Sequence, residues 1–182
     1  MRGSMFVEFL GLVEKHHGLD TVDAIVDHLD GELTTGGAYT TVGNYPHGEL
    51  LAMAVTLCSL TGAQMPAVLR AFAAHLMGVF RRMHGEYFDT AEDVFAFLMS
   101  VEHHIHVDVR KLYPDARPPL VRGQMLDDGA MQLTYESTRP LAQLALSMTE
   151  MAGEAFGQPL AIKVLDRSED GRRITLKLRR HA

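Results

Sequence analysis

A proline-rich break divides this chain into two differently patterned parts, and the change of pattern constrains the fold more than any other feature. Before the break, apolar residues recur at the spacing of α-helices; after it, they alternate as they do in strands. The break is the segment Pro114-Asp115-Ala116-Arg117-Pro118-Pro119, whose prolines prevent a helix from continuing. The pattern predicts an α+β fold, with an N-terminal helical layer followed by a small antiparallel sheet.

Five helices are predicted before the break. Gly18 is expected to end the first, Asp20 to cap the second and Pro66 to open the fourth, while Thr90 and Asp93 resemble a capping box for the fifth. A Gly-, Thr- and Tyr-rich loop is predicted at 31–46. The helices cover residues 4–17, 20–29, 48–61, 66–83 and about 90–113.

Two hairpins and one inserted helix are predicted after the break. The turns are Asp127-Asp128-Gly129 and Ser168-Glu169-Asp170-Gly171, and the last two strands alternate in hydrophobicity. The inward-facing candidates on those strands are Ile162, Val164, Ile174, Leu176 and Leu178. The strands cover 120–126, 130–137, 160–166 and 173–180, and the inserted helix covers 140–156. No repeat or linker divides the chain, so 1–182 is expected to form a single domain.

The composition excludes several classes of function. A hydrophobic fraction of 47% with 22% charged residues is typical of a soluble globular protein, and the net charge of −6 argues against nucleic-acid binding. A single cysteine, Cys58, excludes an internal disulfide and a Cys-rich metal cluster. Glu8 and Glu14 interrupt the N-terminal apolar stretch, so neither a signal peptide nor membrane insertion is expected. These features predict a cytoplasmic location.

The densest group of chemically active side chains is His103-His104-Ile105-His106, late in the fifth helix. With Ile105 at the centre of the apolar stripe, His106 falls on one flank beside Phe95 and Met99, and His104 falls on the other. His103 points further from the stripe. Periodicity therefore predicts that His104 and His106 are half-buried and does not choose between them. The other stripe residues are Val94, Leu98, Val101, Val109 and Leu112.

Three interpretations of this cluster remain open from the residues alone. His103 and His106, three residues apart, could share a metal with a carboxylate such as Glu102, as in a metal-dependent enzyme, although no further ligand has zinc spacing. A single imidazole suffices as the axial ligand of a heme, because the macrocycle supplies four donors. The histidines could also be structural, in a helical adaptor that binds no cofactor.

A second group of polar side chains is Tyr135-x-Ser137-x-Arg139, at the end of a predicted strand. Alternate residues of a strand share one face, so the three side chains are expected to point the same way. The planar fork of Arg139 suits a carboxylate or phosphate, and a helix beginning at Pro140 would add backbone N–H groups. An imidazole on an apolar face together with an anion clamp suits an amphiphilic ligand that carries carboxylates.

These residues resemble a known family, the heme nitric oxide/oxygen binding (H-NOX) domains, related to the heme domain of soluble guanylate cyclase. The resemblance covers essentially the whole chain, including its start at Met1-Arg2-Gly3 and Phe6-Val7-Glu8-Phe9-Leu10. The stretch Ile105-His106-Val107-Asp108-Val109-Arg110-Lys111-Leu112-Tyr113-Pro114 is similar to the family's proximal-histidine segment. Its spacing to Tyr113-Pro114 matches His106, rather than His103 or His104, to the iron ligand.

The resemblance implies a cofactor and its contacts. Heme b (iron protoporphyrin IX) would lie between the layers, with Tyr135, Ser137 and Arg139 on its propionates and Pro119 distorting the porphyrin. Residues about 1–62 would form the distal helical part and about 63–182 the proximal part. Phe95 and Met99 would face the heme from the long helix, and the distal pocket would consist of Met5, Phe9, Leu144 and Met148.

The resemblance also implies a ligand preference. Oxygen-binding members carry a distal tyrosine, but the matching position here is Leu144, or Ala145 with a shift of one, and neither donates a hydrogen bond. The chain is therefore expected to bind NO and CO at ferrous heme and to discriminate against O₂, unless the neighbouring Gln143 enters the pocket. A Cys-rich zinc site, found in some relatives, is excluded by the single Cys58.

The resemblance implies a sensor rather than an enzyme. NO binding would weaken the bond from iron to His106, and release of the histidine with relaxation of the heme would shift a bistable structure. No kinase or cyclase pattern is recognised in the 182 residues, so the output is expected to pass to another protein. In the bacterial members of the family, that partner is a sensor histidine kinase or a cyclic-di-GMP enzyme.

Overall fold

The structure is a computed structural model that describes residues 1–181. Its residues form two compact units, Met1–His75 and Leu76–Ala182. The boundary between the units falls inside one helix, Met65–Met83, and separates two groups of residues that each pack mainly among themselves. The sequence also predicted a distal and a proximal part that meet at about residues 62 and 63. Those two parts are defined by their expected position relative to the heme, and they stay a prediction.

The first unit contains three complete helices and the start of a fourth. These are α1 (Gly3–His17), α2 (Leu19–His28), α3 (His47–Thr61) and α4 (Met65–Met83), close to the predicted segments. Gly18, with a φ of 84°, ends α1 by donating its N–H to the carbonyl of Glu14 and is also the residue before α2. The predicted cap at Asp20 is wrong, because the left-handed glycine already starts the helix and leaves Asp20 in its first turn.

The loop predicted at 31–46 contains no regular helix and is held against α3 by a buried carboxylate. One oxygen of Glu49 accepts from the N–H of Thr34 at 3.3 Å and from its hydroxyl at 2.9 Å. The other oxygen accepts from the hydroxyl of Tyr39 at 2.6 Å. The ring of Tyr39 stacks on Phe6 of α1 with 4.6 Å between centroids, so Glu49 and the aromatic rings together fix the loop.

The second unit contains a four-stranded antiparallel sheet. Its strands are β1 (Leu120–Met125), β2 (Met131–Glu136), β3 (Leu160–Arg167) and β4 (Arg173–Arg180), in the order β1-β2-β4-β3. Both predicted hairpin turns are confirmed by the pairing of β1 with β2 and of β3 with β4. One face is apolar, because alternate residues of the two central strands are buried: Met131, Leu133, Tyr135, Ile174, Leu176 and Leu178.

Helices cover the apolar face of this sheet. They are α6 (Val94–Ser100) and α8 (Ala142–Ala155), which contact each other and the sheet. The second unit also contains α5 (Gly85–Asp89), which was not predicted, and α7 (His106–Leu112). The cap of α6 is Asp93, whose carboxylate accepts from the N–H of Ala96 at 2.8 Å. Thr90 instead closes α5 through the carbonyl of Glu86, so the predicted capping box is wrong.

One further detail of the sheet differs from expectation. Val164 was expected to be an inward-facing residue, but its side chain is 44% exposed. Val164 pairs with the buried Leu176 and lies on the same face of the sheet, but it belongs to the edge strand β3, most of whose residues are exposed. Ile174, Leu176 and Leu178 on β4 are buried as predicted.

The predicted α+β class is confirmed: helices come first, and an antiparallel sheet with one inserted helix follows. Among the described residues, no single helix has the length and apolarity needed to cross a membrane. The pair His47–Thr61 and Met65–Met83 meets that test only when taken together, across a bend of 118°.

Candidate functional site

The helix predicted at 90–113 is interrupted directly before His106. Residues Val101–Ile105 form a π-helical turn, in which the N–H of His106 bonds to the carbonyl of Val101. Such turns insert one residue into a helix and often lie at functional sites. The extra residue rotates everything after it, which explains why Leu112, assigned to the apolar stripe, is 68% exposed.

The same turn distinguishes two histidines that periodicity left equivalent. The side chain of His106 is 12% exposed, whereas His104 is exposed. The prediction that His104 is half-buried was therefore wrong, and His103 is exposed as expected. Among the described residues, no three His, Cys, Asp or Glu side chains form a group that could hold a metal ion. This finding removes the support for a metal shared by His103, His106 and Glu102.

A carboxylate fixes the ring of His106. Oε2 of Glu102 lies 3.0 Å from Nδ1 of His106 and accepts from the N–H of Val121 at 3.3 Å. Oε1 accepts from the guanidinium of Arg110 at 3.0 Å. Burial raises the pKa of Glu102, but hydrogen bonds from His106, Arg110 and Val121 outweigh it and hold that pKa below its ordinary value.

The carboxylate leaves His106 prepared to coordinate a metal. An ionised carboxylate only accepts hydrogen bonds, so Nδ1 carries the hydrogen and Nε2 offers its lone pair. Within residues 1–181, Nε2 has no hydrogen-bond partner. A carboxylate on the second ring nitrogen is the usual support of a metal-bound histidine, because it fixes the ring and raises its basicity. Nε2 of His106 therefore fits the role of a single axial ligand to a metal.

Tyr135, Ser137 and Arg139 come together at the end of β2. Burial raises the pKa of Tyr135, and a hydrogen bond with Ser137 and the charge of Arg139 act in the opposite direction. Ser137 Oγ accepts from the N–H of Arg139 at 3.2 Å, and the Arg139 guanidinium donates to the carbonyl of Arg117 at 2.9 Å. Four of the five guanidinium N–H donors remain for an anion among the described residues.

The local backbone at this cluster differs from the expected one. The strand ends at Glu136 and α8 begins at Ala142, so the prediction of a helix starting at Pro140 is wrong. The N–H of Ala142 is already bonded to the carbonyl of Gly171, which holds the connection in a bend. The predicted anion clamp therefore lies on a loop, and no helix begins at Arg139.

Comparison with known proteins identifies the chain. A model of the Haem-NO-binding family matches residues 2–164. The chain belongs to the H-NOX family. A solved H-NOX structure from K. algicida, in the Fe(II) unliganded state, is 31% identical over 100% of this chain and 97% of that chain, with a TM-score of 0.90.

Two other H-NOX structures are similar in fold. The S. oneidensis protein in its Fe(II)NO state is 22% identical, covers 100% of both chains and has a TM-score of 0.88. A variant of the T. tengcongensis protein is 19% identical over 100% of this chain and 98% of that chain, with a TM-score of 0.86. No curated protein sequence matches the chain. H-NOX domains are heme-binding gas-sensor domains, and NO is one of their ligands.

Three more residues that were predicted to contact the heme lie in the second unit, and their surroundings differ: Phe95, Met99 and Pro119. Phe95 is buried, about three helical turns before His106, with the guanidinium of Arg180 5.0 Å from its ring centre. Met99 is half-buried and lies close to Gly123 of β1. Pro119 is half-buried at the end of the proline-rich loop. The heme contacts of these residues stay predictions.

The residues assigned to the distal pocket lie on two helices, one in each unit. In the second unit, Leu144 is buried and Met148 is half-buried, four residues later on α8. Gln143 accepts from the guanidinium of Arg167 at 2.8 Å. In the first unit, Met5 is half-buried on α1, and Phe9 is buried with its ring edge against Phe72 at 5.3 Å between centroids.

Sequence reasoning missed the roles of Glu102 and Arg110 beside the H-NOX histidine. A usable signal was present, because Glu102, His106 and Arg110 follow each other at intervals of four residues, the spacing at which helical side chains meet. The contact from Val121 had no such signal, since it lies 19 residues from Glu102 and depends on how β1 packs.

Proposed function

We propose that this chain is an NO and CO sensor that holds heme b through Nε2 of His106 and discriminates against O₂. The observation that carries the proposal is the arrangement at His106: a mostly buried imidazole whose Nδ1 is fixed by Glu102 and whose Nε2 has no hydrogen-bond partner among residues 1–181. That arrangement suits one axial ligand of an iron porphyrin, and the family binds heme.

The carboxylates of a heme b are proposed to bind at Tyr135, Ser137 and Arg139. Support comes from the convergence of a phenol, a hydroxyl and a guanidinium within five residues. Arg139 supplies a planar pair of N–H donors for a carboxylate, and Tyr135 and Ser137 add neutral donors. Pro119 is assigned to porphyrin distortion by the resemblance alone.

The ligand preference rests on α8. When bound, the heme supplies a ferrous iron that takes a diatomic gas opposite His106. O₂ depends on a hydrogen-bond donor more strongly than NO or CO does. Leu144 and Met148 offer no such donor, and this absence supports a preference for NO and CO. Gln143 is bonded to Arg167 through its amide oxygen, which fixes the side chain and leaves its N–H groups as donors. Met5 and Phe9 stay assigned to this pocket by the resemblance alone.

The proposed signal is the release of His106 from the iron after NO binds. The histidine begins α7 and follows the π-helical turn, so its release frees a segment that already departs from regular helix geometry. The receiver is proposed to be a separate protein, a bacterial sensor histidine kinase or cyclic-di-GMP enzyme in the cytoplasm, by resemblance to stand-alone members of the family.

The assignment of His106 is tested by two matched glycine variants. His106→Gly is expected to lose the intense Soret absorption of the reduced protein, and added imidazole is expected to restore it. His104→Gly carries the same backbone cost of about 1 kcal/mol in a helix and is expected to keep the spectrum. Loss of the Soret band in His104→Gly but not in His106→Gly would overturn the assignment. A wild-type protein that stays colourless with added heme would refute the heme proposal itself.

The ligand preference has its own test. The ferrous protein in air is expected to form no stable O₂ complex, whereas NO and CO should each give a distinct spectrum. Leu144→Tyr introduces a hydroxyl donor and is expected to produce a lasting O₂ complex, while Leu144→Phe adds similar bulk without the donor and should not. A persistent O₂ spectrum of the wild type would contradict the preference.

A further inference from the structure

The carboxylate of Glu102 receives three donors from two different segments. His106 opens α7, Arg110 lies one turn further along α7, and Val121 belongs to β1. The Glu102 side chain is only 16% exposed, so water has little access to its oxygens and does not compete strongly with these three donors. Because the carboxylate is anchored on both oxygens, its position relative to the ring of His106 is defined from two sides.

Each anchor has a separate effect on the ring. The N–H of Val121 shares Oε2 with Nδ1 of His106, and so fixes the oxygen that faces the imidazole. Arg110 binds Oε1 and, being charged, draws negative charge away from the oxygen that faces the ring. Glu102 therefore increases the basicity of the imidazole, and Arg110 limits that increase.

We propose that Glu102 is a positioning residue that sets the strength of His106 as an axial ligand, and that Arg110 reduces its effect. The proposal rests on the proposed heme ligation by His106. A stronger hydrogen bond to Nδ1 gives Nε2 more electron density, which strengthens the bond to iron and stabilises the ferric state. If heme is bound at His106, Glu102 would thereby influence how firmly that histidine holds the iron when NO is present.

Substitutions can weaken or strengthen the hydrogen bond from Nδ1 of His106 to Glu102. Glu102→Gln keeps the size of the side chain but removes its charge, so the bond to Nδ1 weakens. Arg110→Gln removes the competing cation and leaves Glu102 in place, so the bond to Nδ1 strengthens. A purely structural role for the Glu102 and Arg110 pair would predict that both variants act in the same direction.

The first measurement is made on the full chain before heme is added. In nitrogen NMR spectra, His106, identified by comparison with His106→Gly, is expected to carry its hydrogen on Nδ1 at a pH where the ring is neutral. In Glu102→Gln the population of that tautomer is expected to fall. An equal mixture of tautomers in the wild type would overturn the proposal whether or not the protein binds heme.

The second measurement is made on the heme-loaded protein. Resonance Raman spectra of the ferrous form are expected to show a lower iron–histidine stretching frequency in Glu102→Gln and a higher one in Arg110→Gln, with the reduction potential moving up and down respectively. Glu102→Gln is also expected to bind heme about 10-fold more weakly and to lose the iron–His106 bond in a larger fraction of molecules on addition of NO.

The outcomes separate the two proposals. An unchanged frequency in Glu102→Gln, or shifts of the same sign in both variants, would overturn the tuning role while leaving heme ligation by His106 intact. A wild type without an iron–histidine band would instead refute the ligation, and the tautomer measurement would still report on the contact between Glu102 and His106.

Discussion

Two carboxylates, the buried Glu49 in the first unit and the half-buried Glu102 in the second, accept similar numbers of hydrogen bonds but have different consequences. Each accepts three hydrogen bonds. The donors to Glu49 are a backbone N–H and two hydroxyls, all neutral and all from the loop that it holds. The donors to Glu102 include a guanidinium and an imidazole whose second nitrogen has no hydrogen-bond partner in the part of the chain that the structure describes.

The difference teaches that burial of a carboxylate does not by itself indicate a functional site. The hydroxyls of Thr34 and Tyr39 donate to Glu49, and neither side chain carries a second group that could bind a metal. That network therefore has a structural role. His106 still has a ligating atom after it has donated to Glu102. What distinguishes Glu102 from Glu49 is that one of its hydrogen-bond donors, His106, keeps a second nitrogen that can bind a metal.

The largest effect on stability is expected at Glu49. Glu49→Gln replaces an acceptor oxygen by an amide that faces hydroxyl and N–H donors, and we expect a loss of about 3 kcal/mol in the free energy of unfolding. This corresponds to a decrease in Tm of roughly 6–12 °C for a chain of this size. Urea unfolding followed by circular dichroism measures the change.

The matched control for that prediction is Glu102→Gln, which is expected to cost about 1 kcal/mol because its neighbour Arg110 remains partly in water. The comparison would fail if Glu102→Gln destabilised the protein as strongly as Glu49→Gln. It would also fail if Glu49→Gln changed the iron–histidine frequency.

A smaller effect on the free energy of unfolding is expected at two tyrosines. Each donates its hydroxyl to a carboxylate oxygen, and the two distances are the same. Tyr39 donates to Glu49 and Tyr87 donates to Asp108, each at 2.6 Å. Tyr39→Phe is expected to cost about 1 kcal/mol, because the carboxylate that loses its donor is buried. Tyr87→Phe, on an accessible carboxylate, is expected to lower Tm by less than about 2 °C. Equal losses would contradict the role of burial in the comparison.

The contribution of Tyr87 also has a defined pH window. The bond to Asp108 raises the pKa of Tyr87 to about 12 from an ordinary 10.0, so its stabilisation is complete below pH 10.0 and lost as pH rises through about 12. Bonds from Tyr87 and Lys111 lower the pKa of Asp108 from 3.8, so its stabilisation is complete above pH 3.8 and lost at more acidic pH. The Tm difference between wild type and Tyr87→Phe should therefore decrease at both extremes, as thermal scans across pH can measure.

The sequence by itself determined the order of the strands, the helices other than α5, both hairpin turns and the resemblance to the family. Prolines and glycines end elements for local steric reasons, and alternation reports a half-buried strand without knowledge of its neighbours. The spacing from His106 to Tyr113-Pro114 and the group Tyr135, Ser137 and Arg139 were likewise readable, because they are continuous stretches of chain.

Only the tertiary structure decided the surroundings of His106. The π-helical turn at Val101–Ile105, which exposes His104 and Leu112, breaks the periodicity on which the helical prediction depended. The carboxylate beside the imidazole is fixed by Val121, which lies 19 positions further along the chain. Hydrogen-bond partners of a buried side chain depend on which segments pack together, and a local pattern carries no information about distant segments. The bond that we propose to set the ligand strength of His106 is therefore a property of the fold.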